Sequence, residues 1–254
     1  MDSAGTAASA GAGISVDRVQ ETSYCVECPV KASSFCATLQ GRERSPPDEH
    51  DQPLVPEYEL IHAREVFYHA DRPVTQAYAI CEGWAISFVR LRDGRRHIVH
   101  ILIPGDFVAG VFRDSMRHSL QAVTDMRVGK YSRADIRARL MAQPTALNAW
   151  IENCLSLEQQ VAQTAIALGK FTANERIAAL VLRLRDRLAA RGFVENESFA
   201  FPLRQTHIAD ATWLTTVHVS RVLGGLRKAG LLAIDDGTLT ILDLPKLRRI
   251  ADVA

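Results

Sequence analysis

At Pro144 the hydrophobic period of the chain changes, and any fold must accommodate both sides of that change. Before it, residues 58–131 run as short β-type stretches between turn signals. "AYAICEGWAISFVRLRDGRRHIVHILIPGDFVAGV" holds turns at Glu82-Gly83, Asp93-Gly94 and Pro104-Gly105-Asp106. Asp93-Gly94, between "ISFVRL" and "HIVHILI", is a good hairpin signal, and strands at this spacing predict a small barrel or sandwich. Asp106 reads as a turn residue. After Pro144, Trp150, Cys154, Leu157, Val161, Thr164 and Leu168 step by 4, 3, 4, 3 and 4. That is an a/d seam of nearly three heptads, suited to a parallel two-helix dimer contact. The alternative is a helix packed on its own barrel, a task that a second stripe of Leu147, Ile151 and Leu155 could serve. "TANERIAALVLRLRDRL" then opens on a capping box, Thr172 with Glu175, and predicts a helix from about Ala173 to Ala190 with Ile177, Leu180, Val181, Leu184 and Leu188 inward.

Residues 203–243 read "LRQTHIADATWLTTVHVSRVLGGLRKAGLLAIDDGTLTILD". A short helix from Gln205 to Ala211, a turn at 212–214 and a second helix capped by Thr215 and ending at Lys228 make a helix-turn-helix. "LLAI", the Asp236-Gly237 turn and "TLTIL" add a hairpin wing. Thr215, Thr216, His218, Ser220 and Arg221 stand where polar and cationic groups can meet base edges. Arg204, Arg221, Arg227 and Lys228 make the segment basic, which suits phosphates. The formal net charge of the chain is only +1, so the footprint is local.

Three of the five cysteines fall in "YCVECPVKASSFC", as Cys25, Cys28 and Cys36. An odd count is poor for disulfides, and the chain shows neither a signal peptide nor an apolar run long enough to span a membrane. A cytoplasmic location keeps such thiols reduced, and clustered thiols there bind metal or sense redox state. No G-x-S-x-G, H-E-x-x-H or glycine-rich phosphate loop appears, which argues against an enzyme.

Roll, long helix and winged helix-turn-helix, in this order, resemble the Crp/Fnr transcription regulators. The matches run from "YAICEG" to "PGDFV" and through "LTTVHVSRVLGGLRKAGLL". The resemblance implies an α+β chain. Residues 1–22 form a disordered tail and 23–50 the cysteine segment and linker. Residues 51–143 form a β-roll (a double-stranded β-helix, cyclic-nucleotide-binding-like), 144–170 a dimerisation helix and 171–254 the winged DNA-binding domain. It implies a homodimer on a two-fold symmetric DNA operator, with RNA polymerase as a further partner and no membrane. The C-x2-C-x7-C spacing is similar to that of the Fnr branch, whose cysteines hold a [4Fe–4S] cluster that oxygen or nitric oxide attacks, weakening the dimer. The branch's fourth cysteine falls at Gly129 here, so Cys81 is the best substitute ligand beside Cys25, Cys28 and Cys36, with a non-cysteine ligand or an open iron site as the alternatives. The alternatives are a structural zinc completed by His50 or Cys81, a thiol redox switch, or no bound ligand. Cyclic AMP is not expected, because Gly110 stands in place of the ribose-binding Glu and Arg117, His118 and Ser119 are out of register. Val217 replaces the Glu of the branch's recognition helix.

Overall fold

The computed structural model describes residues 28, 30, 34–40, 53–108 and 110–251. The tail expected to be disordered (1–22), Cys25, His50 and most of the linker lie outside the described residues.

Strict alternation builds the roll. In β3 (Gln76–Glu82), Tyr78 and Ile80 point to the interior, and Ala77 and Ala79 point outward. In β4 (Ala85–Arg90), Ala85 points inward, whereas Ile86 and Phe88 point outward. One four-stranded antiparallel sheet has the order β1-β8-β3-β6, with β1 at Glu57–Ile61, β6 at Phe107–Val108 and β8 at Met126–Ser132. The facing sheet has the order β2-β7-β4-β5, with β2 at Val66–Tyr68, β5 at Arg96–Leu102 and β7 at Ser119–Ala122. Both sheets therefore have two apolar faces, one closing the roll and one open to a helical layer.

The helical layer covers both outer faces. Helix α1 (Phe35–Leu39), α2 (Arg133–Ala142) and the start of α3 (Pro144–Lys170) cover the β3–β8 face. Helix α4 (Ala173–Ala189) covers the β4–β5 face, and all five residues of its expected stripe are buried there. The capping box forms as expected: Thr172 N donates to Glu175 at 2.7 Å and Glu175 N to Thr172 Oγ1 at 3.4 Å. Helix α5 (Gln205–Thr212), helix α6 (Thr216–Lys228) and the wing complete the reading head. The wing sheet has the order β10-β11-β9, with β9 at Ser198–Ala200, β10 at Leu232–Asp235 and β11 at Thr238–Ile241. Helix α7 (Leu244–Ile250) closes the chain against α4. One core runs unbroken from Ile86 and Ile101 through Leu184 to Leu223 and Leu239, joining roll to head.

The long helix corrects one expectation. Trp150, placed on the dimer seam by its spacing, is only 8% exposed and packs on Phe35 and Phe107, with ring centroids 5.3 and 6.3 Å away. Leu147 packs on the roll as expected, but Ile151 and Leu155 are 46% and 57% exposed. The inward face of α3 therefore runs through Ala146, Trp150, Leu157, Thr164 and Ala167, with Leu157 and Thr164 half-buried. Ile151, Cys154, Leu155, Val161 and Ile166 are exposed. The helical period is the expected one, and Trp150 alone leaves the seam, because an indole of that size fills the aromatic gap between α1 and β6.

The β3–β4 turn depends on Gly83, at φ +78°. A Cβ there would stand 2.5 Å from Asp125 O. Gly83→Ala is expected to cost roughly 1–3 kcal/mol, from strain and the backbone shift the methyl forces. A lowered urea midpoint at unchanged slope is the expected result, and an unchanged midpoint would remove the constraint.

Candidate nucleic-acid interface and cysteine site

Helix α6 has two unlike faces. Val219, Val222, Leu223 and Leu226 are buried against the head. Thr215, Thr216, Val217, His218, Ser220, Arg221 and Arg227 are exposed. Thr215 caps the helix, its Oγ1 accepting from His218 N at 3.2 Å, and the His218 ring lies 3.2 Å from the same oxygen. His218 is thus tethered at the helix start, whereas Ser220 and Arg221 project without such a tie. The tight turn ahead of α6 forms at Trp213, at φ +56°, a conformation its bulky side chain disfavours. Arg204 is exposed at the N-cap of α5, where its N–H donates to His207 Nδ1 at 3.3 Å.

Docking onto the roll hairpin settles the position of Trp213 and the head. Asp210 of α5 accepts from Arg96 Nε at 2.7 Å, and both side chains are mostly buried. The ring of His97 meets Trp213 edge-on, with centroids 5.1 Å apart. A protonated His97 Nδ1 donates to Asp210 O, 2.9 Å away; an unprotonated one accepts from the indole N–H of Trp213. Burial, opposed by Asp210, lowers the pKa of His97. The one carboxylate within the reading motif is therefore neutralised from the roll side, which leaves Arg204, Arg221, Arg227 and Lys228 as its cationic groups.

The roll gathers the cysteines. Cys28, Cys36 and Cys81 line one small cavity of about 20 Å³, together with Gly105, Asp106 and Tyr131. Cys81 sits at a bulge between Ile80 and Glu82, where the β3–β8 register shifts. Gly129 pairs with Ala79, and Cys81, two residues on, reaches it diagonally: its Sγ lies 3.6 Å from the point where a Cβ on Gly129 would stand. Cys36 Sγ is 2.9 Å from Ser34 Oγ. Cys154 stands apart, exposed on α3. Three soft thiol donors on one wall suit an Fe–S cluster or another thiophilic centre rather than a hard cation. The donor set carries the fit, and the cavity's volume does not. Among the described residues, no three His, Cys, Asp or Glu side chains converge closely enough to hold a single metal ion.

Asp106 is more than a turn residue. It is buried, receives Ile103 N at 2.9 Å and Arg191 at 2.7 Å, and forms a very short ion pair with Arg187. Arg191 also donates to Pro104 O at 2.6 Å. Burial alone would raise its pKa, but the guanidinium groups of Arg187 and Arg191 outweigh it and hold the carboxyl below its usual range. Gly105, at φ +92°, is pinched between Val30 and Arg191: a Cβ there would be 3.2 Å from each. The cysteine segment, the Pro104-Gly105-Asp106 turn and the end of α4 thus touch in series.

The loop where the resemblance would put a cyclic nucleotide has small or occupied groups. Gly110 faces Val74 and Met116, Arg117 is exposed, and Ser119 Oγ accepts from Ala70 N at 3.0 Å.

A model of the cyclic nucleotide-binding domain matches residues 59–143, and one of the Crp-like helix-turn-helix domain matches residues 175–250. The chain is 26% identical over 235 residues to the nitrogen fixation regulation protein FixK of Bradyrhizobium diazoefficiens, covering 90% of this chain and 94% of that protein. It is 25% identical to the transcriptional activator protein FnrL of Cereibacter sphaeroides, over 83% of this chain and 84% of that one. It is 29% identical to an anaerobic regulatory protein of Pasteurella multocida, over 88% and 81% of the two chains. In fold it is similar to FixK2 from Bradyrhizobium japonicum, with a TM-score of 0.74 at 24% identity, covering 79% of this chain and all of that one.

Proposed function

We infer that the chain is a DNA-binding transcription regulator of the Crp/Fnr family, as its relatives are regulators, and that the signal it reads is oxygen or redox state, sensed by its thiols. One observation carries this: Cys81, more than forty residues from Cys28 and Cys36 in sequence, lines one cavity with them and lies beside Gly129. Its likeness to an anaerobic regulatory protein points the same way. Cys25 with these three would complete four thiolates for a [4Fe–4S] cluster, which supplies an oxidisable centre when bound.

The chain's own groups carry the rest. Movement of the Cys28–Val30 stretch changes its packing on Gly105, and Asp106 next to it holds Arg187 and Arg191 of the head-bearing helix. Apart from Trp150, the spaced stripe of α3 (Cys154, Leu157, Val161, Thr164 and Leu168) is exposed or half-buried and suits pairing with a second copy. Two copies would present two α6 helices to half-sites about one helical turn apart. The groups around Gly110 offer a cyclic nucleotide neither a carboxylate for its ribose nor an aligned Arg-Ser pair.

Protein purified without oxygen is expected to contain iron and acid-labile sulfide in equal amounts and to bleach in air. Cys81→Ala should lose both, and Cys154→Ala should keep them. Stoichiometric zinc without sulfide, or a Cys81→Ala variant with its iron intact, would overturn the reading.

A further inference from the structure

Between β5, the C-terminal half of α3 and α4 lies a cavity of about 450 Å³. That is within the size range of small-molecule sites, about 300–1,000 Å³. Ile98, Ile101, Leu180 and Phe171 provide its apolar wall, and Gln160, Gln163 and Thr164 a polar one. No residue of the 105–121 loop, where the resemblance would seat a cyclic nucleotide, lines it.

Its charge is one-sided. Arg183 lines the cavity, half-buried, and no carboxylate pairs with it among the described residues. Burial and the neighbouring Arg187 both disfavour its charge, yet a guanidinium does not deprotonate at ordinary pH. Arg187 lends its terminal nitrogens to Asp106 and Ile101 O, but its buried Nε has no hydrogen-bond partner. Buried donors of this kind normally find acceptors. His100, pushed down to about 4 by burial and then by Arg187, is neutral and contributes no negative charge. The only lining carboxylate, Asp186, is engaged by Arg185 at 2.9 Å and by Arg248 at 3.8 Å. A cation is thus held against an apolar wall without a counter-ion.

We propose that this cavity binds a small amphipathic organic anion, with its carboxylate, sulfonate or phosphate group on Arg183 and its apolar body against Ile98, Ile101 and Leu180. The walls come from the roll, the long helix, α4 and, through Ala211, the reading head. A ligand that fits one arrangement of these parts favours that arrangement. The site is therefore a second input to the regulator, separate from the thiols.

The test uses two probes on the full chain: 8-anilinonaphthalene-1-sulfonate, and N-phenyl-1-naphthylamine, which has the same rings without the sulfonate. Saturable binding of one sulfonate probe per protomer is expected by fluorescence and equilibrium dialysis. Arg183→Met should weaken the sulfonate probe roughly tenfold or more, the worth of a charge-assisted contact. The uncharged probe should be little changed, and Arg183→Lys should retain most of the sulfonate affinity. Arg183→Gln replaces the Met variant if that one folds poorly by circular dichroism. Equal weakening of both probes, unsaturable binding, or a sulfonate affinity indifferent to the loss of Arg183 would each overturn the proposal.

Discussion

Asp106→Ala is expected to destabilise the protein by about 3–5 kcal/mol, the usual cost of removing one member of a buried charge network. The carboxylate is 7% exposed and sits between two guanidinium groups. Its loss leaves Arg187 and Arg191 confronting each other and strips Ile103 N of its acceptor. Asp106→Asn should cost less, since it keeps an acceptor and loses the charge. The sign with pH follows from the depressed pKa of Asp106. Its contribution is complete above the unfolded carboxyl value of about 3.9 and is lost as pH falls through the lower folded value. Urea denaturation at neutral pH is the check. A loss under about 1 kcal/mol, in the range of exposed ion pairs, would mean that Asp106 is only a turn residue after all.

Arg221→Ala is expected to weaken operator binding by roughly 1–3 kcal/mol for each half-site, about fivefold to 150-fold, and by up to twice that free energy when both heads of a pair are altered. Arg221 is exposed on α6, where a guanidinium can reach O6 and N7 of guanine. Preference should relax at one position per half-site. Arg227→Ala, at the other end of the helix, should instead weaken all sequences alike and reduce the salt slope by about one. Titrations on operator and scrambled DNA at several salt concentrations separate the two. Equal losses on both DNAs for Arg221→Ala would make it a phosphate contact.

The reading head was legible because its signals are local. Thr172 with Glu175, Thr215 and the Asp-Gly turns each act within four residues, and the helices begin where these caps stand. Position 81 was legible for another reason: strand pairing converts a 48-residue separation into a neighbour relation with Gly129, and the roll topology implied that pairing. Asp106 was not legible. Its partners lie 81 and 85 residues away on a helix whose arginines look like an ordinary solvated face. Trp150 misled because periodicity gives a stripe but not the surface it meets. Nothing in the pattern marked Arg183, since a missing partner leaves no trace in a sequence.

The fastening of α5 to the roll has a mechanical consequence. Arg96 with Asp210, and His97 with Trp213, rivet the β4–β5 hairpin to the first half of the reading motif. The head therefore cannot swivel on the short link between α3 and α4 alone; it carries the hairpin with it or breaks the rivet. In a paired molecule the gauge between the two reading helices would then be set by the roll's own sheet, much as the jaws of a caliper are set by its beam.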